Sequence, residues 1–321
     1  MSHSHWTNYW RSGVSDSFGL QQPLWYTQVI EPFWRQVFTS LPDRACILDI
    51  ATGNGAVARL AAEVASQTNK SFEIIAADKA ELNPDINDLD AVKQSIRFLP
   101  QTPVEQLDLP DRQFDLISSQ FGIEYANHKA SLSAIQKHLK PGGRLIIIAH
   151  HQDSLICQQS RDELQQYRKI LDQQPVFRKL ASLIKVMGDL RTPVQLQALK
   201  NNTQAQQQRE SFNHLVSKLM TQYPQGLVIG DLLTRINPLF KDKMLSPLAE
   251  KLRYIEIIQN NLQQGRLRLQ DQLSAAWNEK ELHKFIVLAE KSGFHCEHKQ
   301  PLTNTEGNSL AWEIRLGNHD T

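Results

Sequence analysis

The chain has 321 residues, 35 Lys plus Arg against 34 Asp plus Glu, a formal net charge of +1 and 40% hydrophobic residues. These values describe a globular protein able to bury a full core; they exclude disordered and fibrous classes, and the balanced charge excludes a global field that gathers polyanions. Cys46, Cys157 and Cys296 follow no paired spacing, which argues against a disulfide framework or a zinc site and in favour of a reducing cytoplasm.

Residues 1–44 read as an aromatic, helix-prone arm, with Trp6, Tyr9, Trp10, Phe18, Trp25, Tyr26, Phe33, Trp34 and Phe38 inside its first 38 positions. The opening MSHSHWTNYWRSG lacks the apolar stretch of an export signal, so none is expected. From Ala45 to Ala149 short β-rich runs alternate with helical runs, the pattern of a parallel sheet covered by helices. Strands are expected at Cys46–Ile50, Glu73–Ala77, Ile96–Leu99, Phe114–Ser119 and Arg144–Ala149, and helices at Ala56–Gln67 and His128–Leu139. Lys140-Pro141-Gly142-Gly143 reads as a helix stop followed by a turn. The longest apolar run, LIIIA at 145–149, is far too short to span a bilayer.

Residues 151–270 change texture. They are glutamine-rich and helical in period, with 17 Lys plus Arg against 10 Asp plus Glu, a net of +7. Helices are expected at Leu155–Leu171, Val176–Leu190, Thr203–Tyr223 and Leu248–Leu269, separated by prolines. The α/β texture returns in residues 271–321. A capping-box-like start at Asn278 and Glu281 leads a helix that stops at Gly293, and two β-like runs, Phe294–Lys299 and Leu310–Leu316, flank a polar turn. The segment 151–270 therefore reads as a helical insertion, a lid or interaction subdomain, within one α/β domain made of 45–150 and 271–321.

The turn after the first strand, Ala51-Thr52-Gly53-Asn54-Gly55, sits where open α/β sheets bind ligands. No Lys-Ser or Lys-Thr pair follows its glycines, so a triphosphate loop is disfavoured; a dinucleotide fingerprint, G-x-G-x-x-A, is matched. Asp49, four residues before Gly53, argues for a ligand with a positive group at this end rather than a pyrophosphate.

LDIATGNG resembles the first motif of the class I S-adenosylmethionine-dependent methyltransferases, with Ala51 where that family usually has Gly. The resemblance continues in order. Asp78, ending EIIAAD, is similar to the acid that accepts from the ribose hydroxyls, and Lys79 then flanks the adenine. Val104-Glu105 is similar to the loop packing on the adenine ring, although Pro103 replaces the usual aspartate. FDLISSQFGIEYA resembles the fourth strand and its loop, with Gln120 and Phe121 beside the cofactor, and LKPGGRLIII resembles the turn and fifth strand. The resemblance implies a Rossmann-like methyltransferase sandwich, a mostly parallel seven-stranded sheet with an antiparallel last strand. Its cofactor would be S-adenosyl-L-methionine, and Asp49, Ala51, Thr52, Gly53, Gly55, Asp78, Lys79, Val104, Glu105, Gln120 and Phe121 would be the cofactor-binding residues.

For the acceptor, Tyr125, His150 and His151 at the carboxyl ends of the fourth and fifth strands are the expected catalytic groups, with Glu124 beside them. Ser-Gln-Phe-Gly after the fourth strand, and the want of a Pro-Cys pair, set aside exocyclic-nitrogen and cytosine-carbon methylation. The expected partner is a small organic acceptor, some of Trp6 to Phe18 lining its cleft, with no nucleic acid or membrane partner and a homodimer through the insertion left open. A docking module whose catalysis has lapsed, and an RNA or protein methyltransferase, remain as alternatives.

Overall fold

The computed structural model describes residues 4–12, 14, 23–83, 96–110, 112–190 and 192–318. Phe18, expected at the cleft, lies outside them. The chain divides into two compact units, 1–158 with 271–321, and 159–270.

The first unit is built on seven strands: β1 (Cys46–Ile50), β2 (Glu73–Ala77), β3 (Ile96–Leu99), β4 (Phe114–Gln120), β5 (Leu139–Ala149), β6 (Phe294–Thr303) and β7 (Ser309–Asn318). Their order is β3-β2-β1-β4-β5-β7-β6. The first five pair in parallel, and β7 runs antiparallel to both its neighbours. Apolar side chains alternate to both faces because successive strand residues point to opposite sides. Leu48, Ile75, Ile117 and Ile147 join one buried cluster with α4 (His128–His138) and α11 (Glu279–Lys291). Ile47, Ile74, Leu116 and Ile146 join the other with α2 (Glu31–Ser40) and α3 (Ala56–Gln67). A short helix, α1 (Ser4–Arg11), precedes them.

Fully burying one such aliphatic or aromatic side chain contributes about 1.5–3 kcal/mol. The sheet is therefore held rigid on both faces while its carboxyl ends stay free for chemistry. Residues 139–143 depart from expectation: Leu139 already pairs with Phe114, and the next partners are Arg144 and Leu116, so Lys140–Gly143 bulge out of an otherwise continuous β5. A Cβ on Gly143 would lie 2.9 Å from the carbonyl oxygens of Lys140 and Phe114, which explains glycine there.

The second unit holds the rest of α5 (Leu155–Arg168), then α6 (Val176–Met187), α7 (Pro193–Leu199), α8 (Thr203–Gln222), α9 (Leu227–Ile236) and most of α10 (Leu248–Ala275). Its own core joins Leu180 and Ile184 of α6 to Phe212 and Leu219 of α8, Leu232 of α9 and Ile258 of α10. Two of these helices were not expected. α7 starts on a Thr192–Gln195 capping box, and α9 opens at Gly226 and carries Gly230 in its middle, both of which weaken the helical signal.

Candidate active site

The site is made where β1, β2, β3 and β4 end. At the end of β1 the chain turns sharply, and Ala51 takes a left-handed φ of 52°, a conformation that costs an L-residue roughly 1–2 kcal/mol. A Cβ on Gly122 would collide with the Ala51 Cβ, so the loop after β4 must carry glycine to approach this turn. Gly55, at φ 88°, is the N-cap of α3, whose apolar face Val57, Leu60, Ala61 and Val64 is buried against the sheet.

Asp78, just after β2, ties two loops together. Its Oδ2 accepts from the Gly53 N–H at 2.8 Å and its Oδ1 from the Ala80 N–H at 2.7 Å. Burial raises its pKa, opposed by those two N–H donors. A carboxylate has about four accepting lone-pair sites, so two remain for other donors.

These loops enclose a cavity of about 450 Å³, within the range of about 300–1,000 Å³ typical of small-molecule sites. Asp78, Lys79, Ala80, Thr102, Val104 and Glu105 form one side. Ala51, Phe121, Gly122 and Tyr125 form another, and Trp6, Trp10 and Arg11 of α1 close it. The helix is latched down: His5 and Trp6 reach the Asp271 carboxylate at 2.6 and 3.2 Å, Arg11 pairs with Glu81, and the Asn54 amide donates to the Trp10 carbonyl at 2.9 Å. Trp6 stacks on Trp10 with centroids 6.3 Å apart and meets the Tyr125 ring edge-on at 5.8 Å. The Trp10 ring lies so close to the glycine turn that a Cβ on Gly53 would come within 2.6 Å of it.

The cavity thus brings together Ala51, Asp78, Lys79, Val104, Glu105, Phe121 and Tyr125 from the residues picked out in the sequence. Asp49, Thr52, Gly53, Gly55, Gln120, His150 and His151 lie off its wall. Asp49 is 1% exposed; its oxygens accept from Thr52 Oγ1 at 2.5 Å and Ser118 Oγ at 2.7 Å. Burial pushes its pKa up to about 6, the Thr52 and Ser118 hydroxyls pulling it back. It reaches the turn through the Thr52 hydroxyl. The Gln120 amide oxygen accepts from Trp34 Nε1 at 2.7 Å, satisfying a fully buried indole.

Burial sets the protonation of the three expected catalytic groups. His150 is buried and its pKa is driven down to about 3, so the ring is neutral near pH 7. It backs the wall instead, stacked on Phe121 at 4.3 Å and edge-on to Tyr125 at 6.3 Å. Burial, then the charges of Glu124 and Asp271, hold the Tyr125 phenol well above its ordinary value, so it remains a donor. His151 stacks on Trp312 at 4.2 Å, its Nδ1 accepts from the Asp153 N–H at 3.0 Å, and burial lowers its pKa. Beside them Glu124 is raised by burial to about 7, while its Oε1 accepts from the His150 N–H at 2.9 Å.

Thr102, Ala80, Gly122 and Arg11 were not singled out in advance. Only position could have found them: Ala80, Gly122 and Arg11 each adjoin a residue already picked out, and Thr102 lies two positions before Val104.

The residues suit the adenosine half of S-adenosylmethionine best. Asp78 has spare acceptor capacity, and Ala80 and Val104 offer apolar surface next to it. Toward the other end Ala51 and Gly122 present close backbone.

A family model described as a methyltransferase domain matches residues 26–201, more than half of the chain. The ubiquinone/menaquinone biosynthesis C-methyltransferase of Ectopseudomonas mendocina is 33% identical over 114 residues, 32% of this chain and 40% of that protein. Its counterpart in Stutzerimonas stutzeri is 35% identical over 107 residues with the same coverage. The chain thus spans 40% of the length of these curated relatives. Among solved structures, a Burkholderia thailandensis 1,6-didemethyltoxoflavin-N1-methyltransferase, with its namesake ligand and S-adenosylhomocysteine bound, aligns over 99% of this chain and 87% of its own at 11% identity and a TM-score of 0.46. On the extent of the family match and the order of its motifs, the chain belongs to the class I S-adenosylmethionine-dependent methyltransferases.

Proposed function

We propose that this protein moves the methyl group of S-adenosylmethionine to a small, flat, largely apolar organic acceptor in the cavity beneath α1. The observation that carries this reading is the 450 Å³ cavity itself, polar along Asp78–Lys79 and Glu105 and aromatic along Trp6, Trp10, Phe121 and Tyr125. Bound there, the cofactor supplies an electrophilic methyl group on a sulfonium, so the protein has mainly to exclude water and aim the acceptor.

Asp78, fixed by two backbone N–H groups, accepts from the ribose hydroxyls, and Val104 and Lys79 flank the adenine. Glu105 is held in place by the Asn127 N–H, which it accepts at 2.8 Å. Asp49 orders the turn through the Thr52 hydroxyl, leaving Ala51, Gly53 and Gly55 to bring the backbone close. Gln120 steadies the end of β4 from below by its bond to Trp34.

Tyr125 is the catalytic residue of the proposal, its protonated phenol donating a hydrogen bond that orients the acceptor. His150 is a positioning residue that keeps Phe121 and Tyr125 upright, and His151 has no direct part. Because neither Glu124 nor His150 lines the cavity, the favoured acceptor atom attacks without surrendering a proton to either. The proposed division assigns the cofactor and acceptor to the sheet unit, 45–150 with 271–321 and the arm 1–44, and gives the helical insertion 151–270 an interaction role.

Incubating the protein with tritiated-methyl S-adenosylmethionine and a fractionated cell extract tests the reading. Label is expected in the small-molecule fraction and lost in Tyr125→Phe. Label confined to protein or RNA would replace this reading with the macromolecular alternative, and no label in any fraction would favour a lapsed catalyst.

A further inference from the structure

The helical unit contains a second cavity, of about 410 Å³, whose chemistry differs from the first. Leu183 and Met187 of α6, Phe212 of α8 and Phe240 make it predominantly apolar. Lys200, just after α7, and Arg209 of α8 also line it, while no Asp or Glu does. Both cations are exposed, and among the described residues neither side chain makes an ion pair. The unit around them, residues 159–270, carries 17 Lys plus Arg against 9 Asp plus Glu.

We propose that this cavity binds an amphipathic organic anion, its apolar body against Leu183, Met187, Phe212 and Phe240 and its carboxylate paired with Lys200 and Arg209. An apolar ligand seated against this wall adds dispersion contacts with its lining atoms. The volume falls within the range of about 300–1,000 Å³ found for small-molecule sites. Two exposed cations at the edge of an apolar cavity favour a ligand with one anionic end, which gains an ion pair that a neutral ligand lacks, while a purely polar anion leaves the apolar wall unused. The Gln206 amide, donating to the Lys200 carbonyl at 3.0 Å, fixes the turn that presents one of these cations beside the other.

Decanoate is a suitable probe, titrated calorimetrically into the full-length protein, with decanol as its neutral counterpart. Saturable binding of one decanoate per chain is expected, weakened up to about fivefold in Lys200→Gln or Arg209→Gln, the range for a partly exposed ion pair. Decanol should bind at least as weakly as decanoate binds either variant. Filling the cavity with Ala205→Trp or, independently, Met187→Trp should abolish binding while circular dichroism stays native. Saturating S-adenosylhomocysteine should leave decanoate affinity unchanged, which separates this site from the sheet cavity and keeps the test independent of the proposed methyl transfer. Absence of saturable binding, equal affinity for decanol and decanoate, unaltered affinity in both cation variants, survival of binding in a folded cavity-filled variant, or displacement by S-adenosylhomocysteine would each overturn the proposal.

Discussion

Replacing Asp49 by Asn isolates the cost of the buried acid under the glycine turn. The carboxyl is 1% exposed and accepts from the Thr52 and Ser118 hydroxyls and the Ala58 backbone, and desolvation raises its pKa from 3.8 to about 6. Because the folded-state value is the higher one, the native protein holds a proton that the unfolded chain gives up. The stability associated with that proton is fully present below about pH 4 and is lost as pH rises through about 6. At 1.36 kcal/mol per pKa unit the shift corresponds to about 3 kcal/mol at pH 8, an upper bound. Asn keeps the shape and does not titrate, and the Thr52 and Ser118 hydroxyls can turn to donate or accept as the amide requires. Urea unfolding of both proteins at half-unit steps from pH 4 to 8 reads the effect. The stability of Asp49→Asn relative to wild type should rise with pH by up to about 3 kcal/mol. Glu124, also raised, titrates in both proteins and cancels in the difference. A difference that stays flat across the range would refute the desolvation argument and mean that Asp49 is better solvated than its burial implies.

Four further outcomes follow from the same geometry. Ala51→Gly should leave stability unchanged or raise it by up to about 1 kcal/mol in thermal unfolding, since relief at φ 52° is set against a more flexible unfolded chain. Gly122→Ala should cost about 1–3 kcal/mol through its collision with the Ala51 Cβ, and the double variant Ala51→Gly/Gly122→Ala should recover most of that loss. Trp34→Phe should cost about 1–3 kcal/mol in chemical unfolding, because the Gln120 amide loses its donor at a site where the indole is fully buried. His150 should show no protonation in a histidine NMR titration between pH 5 and 8, in keeping with a pKa near 3; a midpoint near 6.5 would mean that the ring is solvated.

The strands of the first unit were legible because parallel strands covered on both faces read as short apolar runs, and Cys46–Ile50, Glu73–Ala77 and Ile96–Leu99 have the same bounds in the structure. The Lys-Pro-Gly-Gly stretch read only as a turn, since its pairing on either side depends on β4, a partner the local sequence does not contain. α9 was hidden by Gly230, tolerated because Val228, Ile229 and Leu232 bury into the helical core. Tertiary packing overrode propensity there.

Within the site, order and spacing were enough to bring Asp78, Val104 and Phe121 to one cavity. Side-chain direction was not legible. Asp49 and Gln120 turn toward the face covered by α2 and α3, where Ser118 and Trp34 meet them. Nor can sequence report protonation: His150 reads as a near-neutral base until its burial is known.

Calorimetric titration of S-adenosylhomocysteine into the wild type and Asp78→Ala tests the central claim most directly. The account predicts saturable binding of one molecule per chain, weakened at least about tenfold in the variant by loss of a charge-assisted hydrogen-bond acceptor. Equal affinities in two proteins of native circular dichroism would contradict it and move the cofactor away from the Asp78 wall.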